Sequence, residues 1–560
     1  MQPRLQPTSS GAPTLRYGDH FLEDPRDPIG GAATFASSAP LDGAAIVVLF
    51  GHGLGHRPAQ LRALGVEPLI LEPCAAILAL CEAATPGRGG PPMPRIHASP
   101  AALVEAALRL PPRSGRLILL APPAYVRAFP EAHRGLLASL EELAGFLALR
   151  ENTASSRRAL AIDNALTNLT NLAEIPDVHA FGTPLRGKPA FLVSGGPSLD
   201  RNAHLLGQAA RRGAIVTMNT AAPALASRGV PIDALLVMES LDVSATVSAL
   251  GDRPGLLVLD LVAHPALHRR GGPRRAGFIG AGEELAAIRE ALQIVGLPCG
   301  PSVATAAFSL AYRWGADPIV LVGQDLAFTG GKLYAQGTGR EGMRARARGD
   351  RLEFGYDDSF RAIFERAGLA APAPEQPRLE LPGWGGGVVS SNHDLALNLR
   401  WFEAVAGQAR GRRLFDASEG GARKRGFVER PLAALLEMLP LRPDARLSLG
   451  SAATPRRARI DRLRRSILAE MRAIERLAGR ARESSPPSIR ALEARIEESP
   501  WLRAYGPMVA SRQVDSARGG AADGGAEAFG ERWRGVAVRL RERLEEGAGR
   551  QLLGGRASSR

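Results

Sequence analysis

Residues 188–325 alternate short, near-continuous apolar runs with helical stretches, and this rhythm limits the possible folds more than any other feature. Strands that are apolar on both faces are typical of a parallel sheet covered by helices on both sides. The pattern therefore predicts a Rossmann-like, doubly wound α/β domain. We expect strands at 190–194, 214–218, 234–238, 256–261 and 318–323, and helices at 199–212, 221–228, 283–295 and 302–314.

Composition and pattern divide the 560 residues into five parts. These are a loosely ordered segment at 1–40, a smaller N-terminal Rossmann-like α/β domain at 41–150, a helical connector at 151–185, the central domain at 186–435 and a basic helical domain at 441–560. The apolar runs of the smaller domain predict strands at 44–50, 68–71 and 116–121. Residues 326–385 leave the α/β rhythm, and we expect them to form a long excursion over the sheet.

The net charge of +14 is concentrated in residues 441–560, which hold 25 arginines and 15 acidic residues. Aromatic residues make up only 5% of the chain, so this charge favours a solvated helical face over a nucleic-acid interface. The same region has an amphipathic pattern typical of a core or partner-facing helix. Its apolar stripe consists of Ile460, Leu463, Ile467, Met471, Ile474 and Leu477.

Neither a membrane segment nor a disulfide framework is visible in the sequence. No apolar run reaches the roughly 18 residues of a membrane helix, and the N-terminus has no apolar signal-peptide region. The three cysteines, Cys74, Cys81 and Cys299, form no C-x-x-C pair. We therefore expect a soluble, cytoplasmic protein without membrane insertion.

Ligands of doubly wound sheets bind at the carboxyl ends of the strands, and polar residues follow most of the predicted strands here. The turn Gly195-Gly196-Pro197-Ser198 joins the first strand to a helix. Its glycines permit close approach of a ligand, and free amides at a helix start attract an anion such as phosphate. Ser302 precedes another helix in the same way, after Gly300 and Pro301. The other polar residues at predicted strand ends are Ser194, Asn219, Thr220, Glu239, Ser240, His264, Gln324 and Asp325.

Three further features each leave two interpretations open. The Gly51-His52-Gly53-Leu54-Gly55-His56 turn, with Glu72 after the next strand, is either an ordinary turn or a nucleotide loop of altered spacing. Glu419 beside Gly420 and Gly421 is either a simple loop residue or a functional carboxylate, which would act as a general base or hold a sugar hydroxyl. The third feature is an arginine run, which is a solvated loop or a lid over an anionic substrate: Arg340, Arg344, Arg346, Arg348 and Arg351.

Five strings together resemble the motility-associated factor (Maf) family over residues 180–430: Phe191–Asp200, Val230–Asp233, Ser302-Val303, Ile319–Ala327 and Ser418–Ala422. The resemblance implies a glycosyltransferase that moves a nonulosonic, sialic-acid-like sugar from a CMP donor to Ser or Thr of flagellin or another protein. The central domain also resembles the MptE-like 6-hydroxymethyl-7,8-dihydropterin diphosphokinases and bacterial sialyltransferases.

The resemblance also implies roles for particular residues. The turn from Gly195 to Ser198, with Asn219, would hold the donor phosphate, and Ser302 would contact the nucleotide. The nucleoside pocket would be lined by Gln324 and Asp325. We expect Glu419 or Glu239 to take the acceptor proton, with the CMP-sugar as co-substrate and neither cofactor nor metal. The chain departs from the family at two positions, with Glu239 where Asp is usual and Tyr334 where His is common.

Two alternatives stay open. An MptE-like diphosphokinase would need Mg²⁺ to bridge the ATP phosphates, with Asp233, Glu239 and Asp325 as candidate ligands. An inactive protein of the same fold would bind a nucleotide at the sheet edge while the helical tail docks a partner. A metal requirement distinguishes the diphosphokinase from the glycosyltransferase.

Overall fold

The computed structural model describes residues 2–84, 96–108, 116–269, 274–281, 285–409, 411–442, 444–450, 457–481, 486–499 and 533–545. The chain forms two compact units, Met1–Asn152 and Thr153–Arg560. Each unit is built on its own parallel sheet. Among the described residues, no helix is both long enough and apolar enough to cross a bilayer.

The first unit is an α/β domain with a parallel sheet. Its strands are β1 Pro3–Gln6, β2 Thr14–Tyr17, β3 His20–Phe21, β4 Ala44–Phe50, β5 Leu69–Leu71, β6 Ile96–His97 and β7 Arg116–Leu120. Its helices are α1 Pro28–Ser37, α2 His56–Ala63, α3 Ala75–Ala84, α4 Pro100–Leu108 and α5 Pro123–Ala128, followed by α6 Pro130–Leu172, which contains the boundary between the units. The parallel sheet has the order β6-β5-β4-β7. Val48 and Leu49 are both fully buried, in separate cores, which explains the continuous apolar run of β4.

The expectation that residues 1–40 are loosely ordered is wrong. Strands β1, β2 and β3 form an antiparallel sheet. Helix α1 is capped by Asp27, whose Oδ1 accepts a hydrogen bond from the Gly30 amide at 3.0 Å. Leu15 and Leu22 are fully buried in the same core as Phe50. Backbone pairing and two buried leucines therefore order this segment, despite its high content of Pro and Gly.

The second unit contains the predicted central domain and the C-terminal helices. Its strands are β8 Ala190–Val193, β9 Ala214–Met218, β10 Ile232–Val237, β11 Pro254–Asp260, β12 Arg274–Phe278, β13 Ile319–Val322, β14 Arg344–Arg348, β15 Arg351–Gly355, β16 Glu375–Pro377, β17 Leu379–Pro382, β18 Val388–Ser391, β19 Leu414–Asp416 and β20 Val428–Glu429. Its helices are α7 Leu199–Asn202, α8 Leu206–Ala209, α9 Ala222–Ser227, α10 Ser244–Ala249, α11 Pro265–His268, α12 Ala286–Leu292, α13 Val303–Arg313, α14 Asp358–Arg366, α15 His393–Gln408, α16 Leu432–Met438, α17 Arg457–Ala481 and α18 Pro486–Glu498.

The large sheet has eight parallel strands in the order β12-β11-β10-β9-β8-β13-β19-β20. The chain runs outward from β8 to β12 and then returns to the other side of β8 as β13. Leu192 and Val193 belong to different cores, so helices cover both faces. The doubly wound, Rossmann-like fold class is confirmed. The strand order reverses between β8 and β13, and their carboxyl ends flank this switch point.

The prediction and the structure differ at two elements of the central domain. The helix expected at 199–212 is interrupted by a 3-10 turn at Ala203–Leu205. The side chain of Asn202, which ends α7, donates to the Ala417 carbonyl at 2.8 Å, so the break serves a contact with another loop. Strand β12 was missed because two arginines and a glycine interrupt its apolar character, as an edge position allows.

The excursion after β13 contains an antiparallel hairpin of β14 and β15. Arginine and alanine alternate in β14, where Ala345 is buried and Arg344, Arg346 and Arg348 are exposed. The arginine run is therefore the solvated face of a strand, with Arg340 before it. The alternation had the period of two that is typical of a half-buried strand.

The apolar stripe of the C-terminal region is a packing surface. Ile460, Ile467, Met471 and Ile474 of α17 are buried in a core that includes Ile162 of α6. Residues 533–545 are also helical, and their apolar side chains join the same core. The C-terminal helical domain is confirmed in these segments. The sequence also predicts a Gly- and Ala-rich loop at 519–526, which lies outside the described residues.

Candidate functional site

A buried carboxylate ties the turn after β8 to the residue that follows β13. Asp325 Oδ2 accepts hydrogen bonds from the Ser198 amide at 3.0 Å and from the Thr329 hydroxyl at 3.1 Å. Its Oδ1 accepts the Ser198 hydroxyl. A Cβ on Gly196 would lie 2.3 Å from Asp325 Oδ1 and 2.5 Å from the Gly323 carbonyl. This close approach requires glycine, because any side chain at position 196 would collide with Asp325 and with the Gly323 carbonyl.

Burial raises the pKa of Asp325, while hydrogen bonds from Ser198 and the positive charge of Lys424 act in the opposite direction. Lys424 is fully buried and donates to Asp416 Oδ2 and to the Ala422 carbonyl, both at 2.9 Å. Two buried carboxylates are thus held by hydrogen bonds and by one buried cation. Leu326, directly after Asp325, has a φ of 53°, a left-handed conformation that is uncommon outside glycine.

A cavity of about 360 Å³ opens at this switch point, and we call it the switch-point cavity. It brings together six of the predicted binding residues: Gly195, Gly196, Pro197, Ser302, Gln324 and Asp325. Gln324 Oε1 accepts the hydroxyl of Ser194, which also lines the cavity. Residues from separate parts of the chain therefore converge where the fold predicts a ligand.

Aromatic side chains of the excursion also line the switch-point cavity. The rings of Phe354 and Tyr356 are stacked with centroids 5.7 Å apart, and Tyr356 and Phe360 follow at 5.1 Å. Burial raises the pKa of Tyr356 to about 12 and also raises that of Tyr334, so both phenols are neutral. Such surfaces stack planar bases. Sequence reasoning missed them, although five of the chain's few aromatic residues fall within 328–360.

Two polar atoms of the cavity lining have no hydrogen-bond partner among the described residues: Ser302 Oγ and Asn398 Oδ1. Ser302 occupies the N-cap position of α13, but its hydroxyl makes no capping bond. Asn398 is 7% exposed, and its amide nitrogen donates to the Asp394 carbonyl at 2.9 Å. Unpartnered buried polar atoms cost stability, so these two point to the polar groups of a ligand. Asn398 was not predicted, because it lies in α15, far along the sequence from the predicted strands.

Asn219 and Glu239 lie outside the switch-point cavity. Asn219 lines an adjoining cavity of about 510 Å³, and Thr220 lines both. Glu239 Oε1 lies 3.3 Å from Arg157 Nη2 and accepts the Leu241 amide at 3.2 Å. Neither cavity has Glu239 among its described lining residues. Ser198 is also absent from the described lining of the switch-point cavity, and its amide and hydroxyl both donate to Asp325.

Glu419 is used to hold a helix start. Its Oε1 accepts a hydrogen bond from the backbone amide of Leu432, the first residue of α16, at 3.0 Å. It also accepts one from the side-chain amide of Asn202 at 3.3 Å. It is absent from the described lining of the switch-point cavity, whereas Asp394 is present there. The carboxylate that sequence reasoning missed is therefore Asp394, in the first turn of α15.

The carboxylates considered for magnesium are not brought together. Asp233 lies near the amino end of β10, where it accepts the Ile215 amide at 2.8 Å and the Arg446 Nε at 2.6 Å. Asp325 follows the carboxyl end of β13, at the opposite edge of the sheet. Across the described residues, no group of three or more His, Cys, Asp or Glu side chains is placed to hold a metal ion.

The glycine-rich loop at 51–56 in the first unit already binds internal carboxylates. Glu72 Oε2 accepts the amides of His52 at 2.8 Å and Gly53 at 3.3 Å, and Tyr125 donates its hydroxyl at 2.9 Å. Glu23 Oε1 accepts the Leu54 amide at 2.9 Å. Amides that would hold a phosphate are thus occupied, which favours the ordinary turn over the nucleotide loop.

Two asparagines of α6 hold the loops after β10 and β11. The Asn164 amide donates to Ser240 O at 2.9 Å and to Val262 O at 3.1 Å. The Asn168 amide donates to Leu261 O at 2.8 Å and to Ala263 O at 2.7 Å. The sequence predicts only a helical connector at 151–185 and assigns these two asparagines no role. Their spacing of four residues, on one face of a helix, was the available signal.

Comparison with known proteins supports the resemblance to the MptE-like family. Residues 163–331 match a family model described as 6-hydroxymethylpterin diphosphokinase MptE-like. Among solved structures, the chain is similar to a MAf glycosyltransferase from Magnetospirillum magneticum AMB-1, with 16% sequence identity, a TM-score of 0.47 and coverage of 100% of this chain and 93% of that chain. No curated protein matches the chain. The expected resemblance to the MptE-like family is thereby confirmed for residues 163–331.

Proposed function

We propose that this chain is a cytoplasmic glycosyltransferase that moves a nonulosonic, sialic-acid-like sugar from a CMP donor to Ser or Thr of an acceptor protein such as flagellin. The observation that carries the proposal is the lining of the switch-point cavity. It combines the turn at 195–198, which Asp325 holds in place, with the unpartnered Ser302 hydroxyl and the stacked aromatic rings. The motifs of residues 180–430 supply the donor and acceptor classes through their resemblance to the Maf family.

In this proposal the cytosine ring stacks against Phe354, Tyr356 and Phe360, and Ser302 and Asn398 bind polar groups of the nucleotide. The donor phosphate lies between the turn at 195–198 and Asn219, at the junction of the two cavities. Aromatic stacking holds bases without requiring charge. The Gly196 and Ser198 amides of the turn are bound by the Gly323 carbonyl and by Asp325, so the side-chain amide of Asn219 donates to the phosphate. No cofactor or metal is needed beyond the CMP-sugar.

The transfer is a direct displacement at the anomeric carbon. The acceptor oxygen forms a bond to this carbon while the bond to the donor phosphate oxygen breaks, and CMP leaves with the electron pair. The proton of the acceptor hydroxyl passes to a carboxylate. We assign this role to Asp394 in place of Glu239 and Glu419, because Asp394 lines the cavity.

An MptE-like diphosphokinase is the second candidate, favoured by the family model that matches residues 163–331. It would need a magnesium ion held near the phosphates by carboxylates. Asp233 lies near the amino end of β10, whereas Asp325 follows the carboxyl end of β13. The two carboxylates therefore lie at opposite ends of the strands, which counts against them as ligands of one magnesium ion.

The test is calorimetric titration of the full chain with CMP, UDP and ATP, each in Mg²⁺ and in EDTA, followed by transfer assays with a CMP-sugar and flagellin. We expect CMP to bind equally well in both buffers. Ser302→Ala should weaken CMP binding about tenfold while leaving the melting temperature unchanged or higher, because its hydroxyl has no partner.

Ser309→Ala is the matched control, since Ser309 lies on the same helix and outside the described lining of the switch-point cavity. If only ATP binds, and only in the presence of Mg²⁺, the result would contradict the glycosyltransferase and support the diphosphokinase. CMP binding without transfer to any hydroxyl would instead support the inactive nucleotide-binding protein.

A further inference from the structure

The cavity that adjoins the switch-point cavity is lined by three arginines from separate elements, and we call it the arginine cavity. Arg253 precedes β11, Arg340 lies in the excursion, and Arg366 ends α14. The cavity measures about 510 Å³ and shares Thr220 with the switch-point cavity. A substrate bound at the switch point therefore has a continuation toward these arginines.

The charge in the arginine cavity is strongly one-sided. Asp242 is the only carboxylate among its described lining residues. The positive charge of Arg366 contributes to lowering the pKa of Asp242, so this aspartate is ionised and partly offsets one arginine. The Arg340 guanidinium lies over the Phe360 ring, 5.0 Å from its centroid, which positions the charge without neutralising it.

The lining also offers neutral hydrogen-bond groups beside the arginines. Asn219 is 9% exposed, and Thr220 lies next to it at the end of β9. A third cavity, of about 570 Å³, shares Asp242, Ile363 and Arg366 with the arginine cavity. The carboxyl edge of the sheet thus bears three adjoining cavities, with the arginines in the middle one.

We propose that the arginine cavity binds an anionic group of the substrate, a carboxylate or a phosphate, on the part that extends beyond the switch-point cavity. Guanidinium groups bind carboxylates and phosphates through paired hydrogen bonds. The three arginines of the cavity outnumber its one described carboxylate, Asp242, so the lining has an excess of positive charge. The inference rests on the proposed function only in taking both cavities to hold one substrate. It makes the cavity a selector for substrates with a negative charge at that position.

The experiment compares CMP with CMP-N-acetylneuraminic acid, whose sugar bears a carboxylate, by calorimetric titration of the full chain. Arg366→Gln and Arg253→Gln are the test variants. Both arginines are exposed, so the variants should fold. Arg361→Gln is the matched control, because Arg361 lies on the same helix as Arg366, pairs with Asp358 at 4.0 Å and is absent from the described lining.

We expect Arg366→Gln to weaken binding about tenfold, with Arg361→Gln within about twofold of wild type. A loss confined to the CMP-sugar identifies the group as the sugar carboxylate, and an equal loss for both ligands identifies it as the phosphate. If both test variants behave like the control, the inference is overturned. If wild type binds neither ligand, the proposed function fails separately, and pyrophosphate becomes the probe. Binding of pyrophosphate that the test variants weaken then upholds the anion site, and binding that they leave unchanged overturns it.

Discussion

Ser198 and Asp325 are joined twice across the switch point, through the amide of Ser198 at 3.0 Å and through its hydroxyl. The two residues follow neighbouring parallel strands, β8 and β13. Their hydrogen bonds hold the turn at 195–198 in place before any ligand arrives. A site whose backbone is fixed in advance loses less conformational entropy when a ligand binds.

Gly196→Ala should break this arrangement. The new methyl group would meet Asp325 Oδ1 at 2.3 Å and the Gly323 carbonyl at 2.5 Å, so one strand end must shift. We expect the free energy of unfolding to fall by about 2 kcal/mol and CMP binding to be lost. Urea unfolding and calorimetric titration measure these two effects. Gly207→Ala in α8 is the control, because its Cβ would have no atom within 4 Å, and an equal loss there would contradict the explanation.

Asn168→Ala should destabilise the second unit through the loops it holds. The fully buried amide bonds two carbonyls, Leu261 O and Ala263 O, and its removal leaves both without this donor. We expect a loss of about 3 kcal/mol in the free energy of unfolding. Asn171→Ala, one turn along the same helix, should cost less than about 1 kcal/mol. Similar losses from the two variants would show that the carbonyl contacts do not matter.

Lys424→Met should be among the most damaging single changes. It would leave Asp416 fully buried and without its cation, at an expected cost of about 3–5 kcal/mol. Lys332→Met is the comparison, since Lys332 pairs with Asp200 at 3.4 Å on the surface and should cost less than about 1 kcal/mol. Thermal unfolding distinguishes these expectations, and equal melting temperatures for the two variants would refute them.

Glu23 should make the first unit less stable as pH rises. Burial raises the pKa of Glu23 from 4.5 to about 7, despite the Leu54 amide and the charge of Arg57. Between these values the folded chain holds a proton that the unfolded chain has released, so the free energy of unfolding falls as pH increases from about 4.5 to about 7.

The test of this pH dependence is Glu23→Gln, which keeps an acceptor for the Leu54 amide but cannot ionise. At pH 8 the variant should be more stable than wild type by up to about 3 kcal/mol, and at pH 4 the two should be similar. His56 Nε2 lies 3.9 Å from Glu23 Oε2, so the two groups are coupled, and the comparison is repeated in a His56→Gln background. A stability difference that is the same at pH 4 and pH 8 would rule the mechanism out.

Local patterns were sufficient for the core of the fold. Every strand predicted at 188–325 exists, because a strand apolar on both faces has few alternatives to a covered parallel sheet. The Gly195-Gly196-Pro197-Ser198 turn was recognisable for a similar reason, since its glycines precede a helix start. Patterns failed where several partners contribute to order, as at residues 1–40, and where charged residues interrupt an edge strand, as at β12.

The sequence by itself determined the doubly wound sheet, the edge at which a ligand would bind and the glycine turn, because these depend on neighbours within a few residues. Only the tertiary structure decided which carboxylates face the cavity. Glu419 is drawn to Leu432 and Asn202, while Asp394 reaches the switch-point cavity from a helix about 70 residues beyond β13. Long-range packing sets the surroundings of each side chain, and the surroundings decide whether a carboxylate caps a helix or meets a substrate.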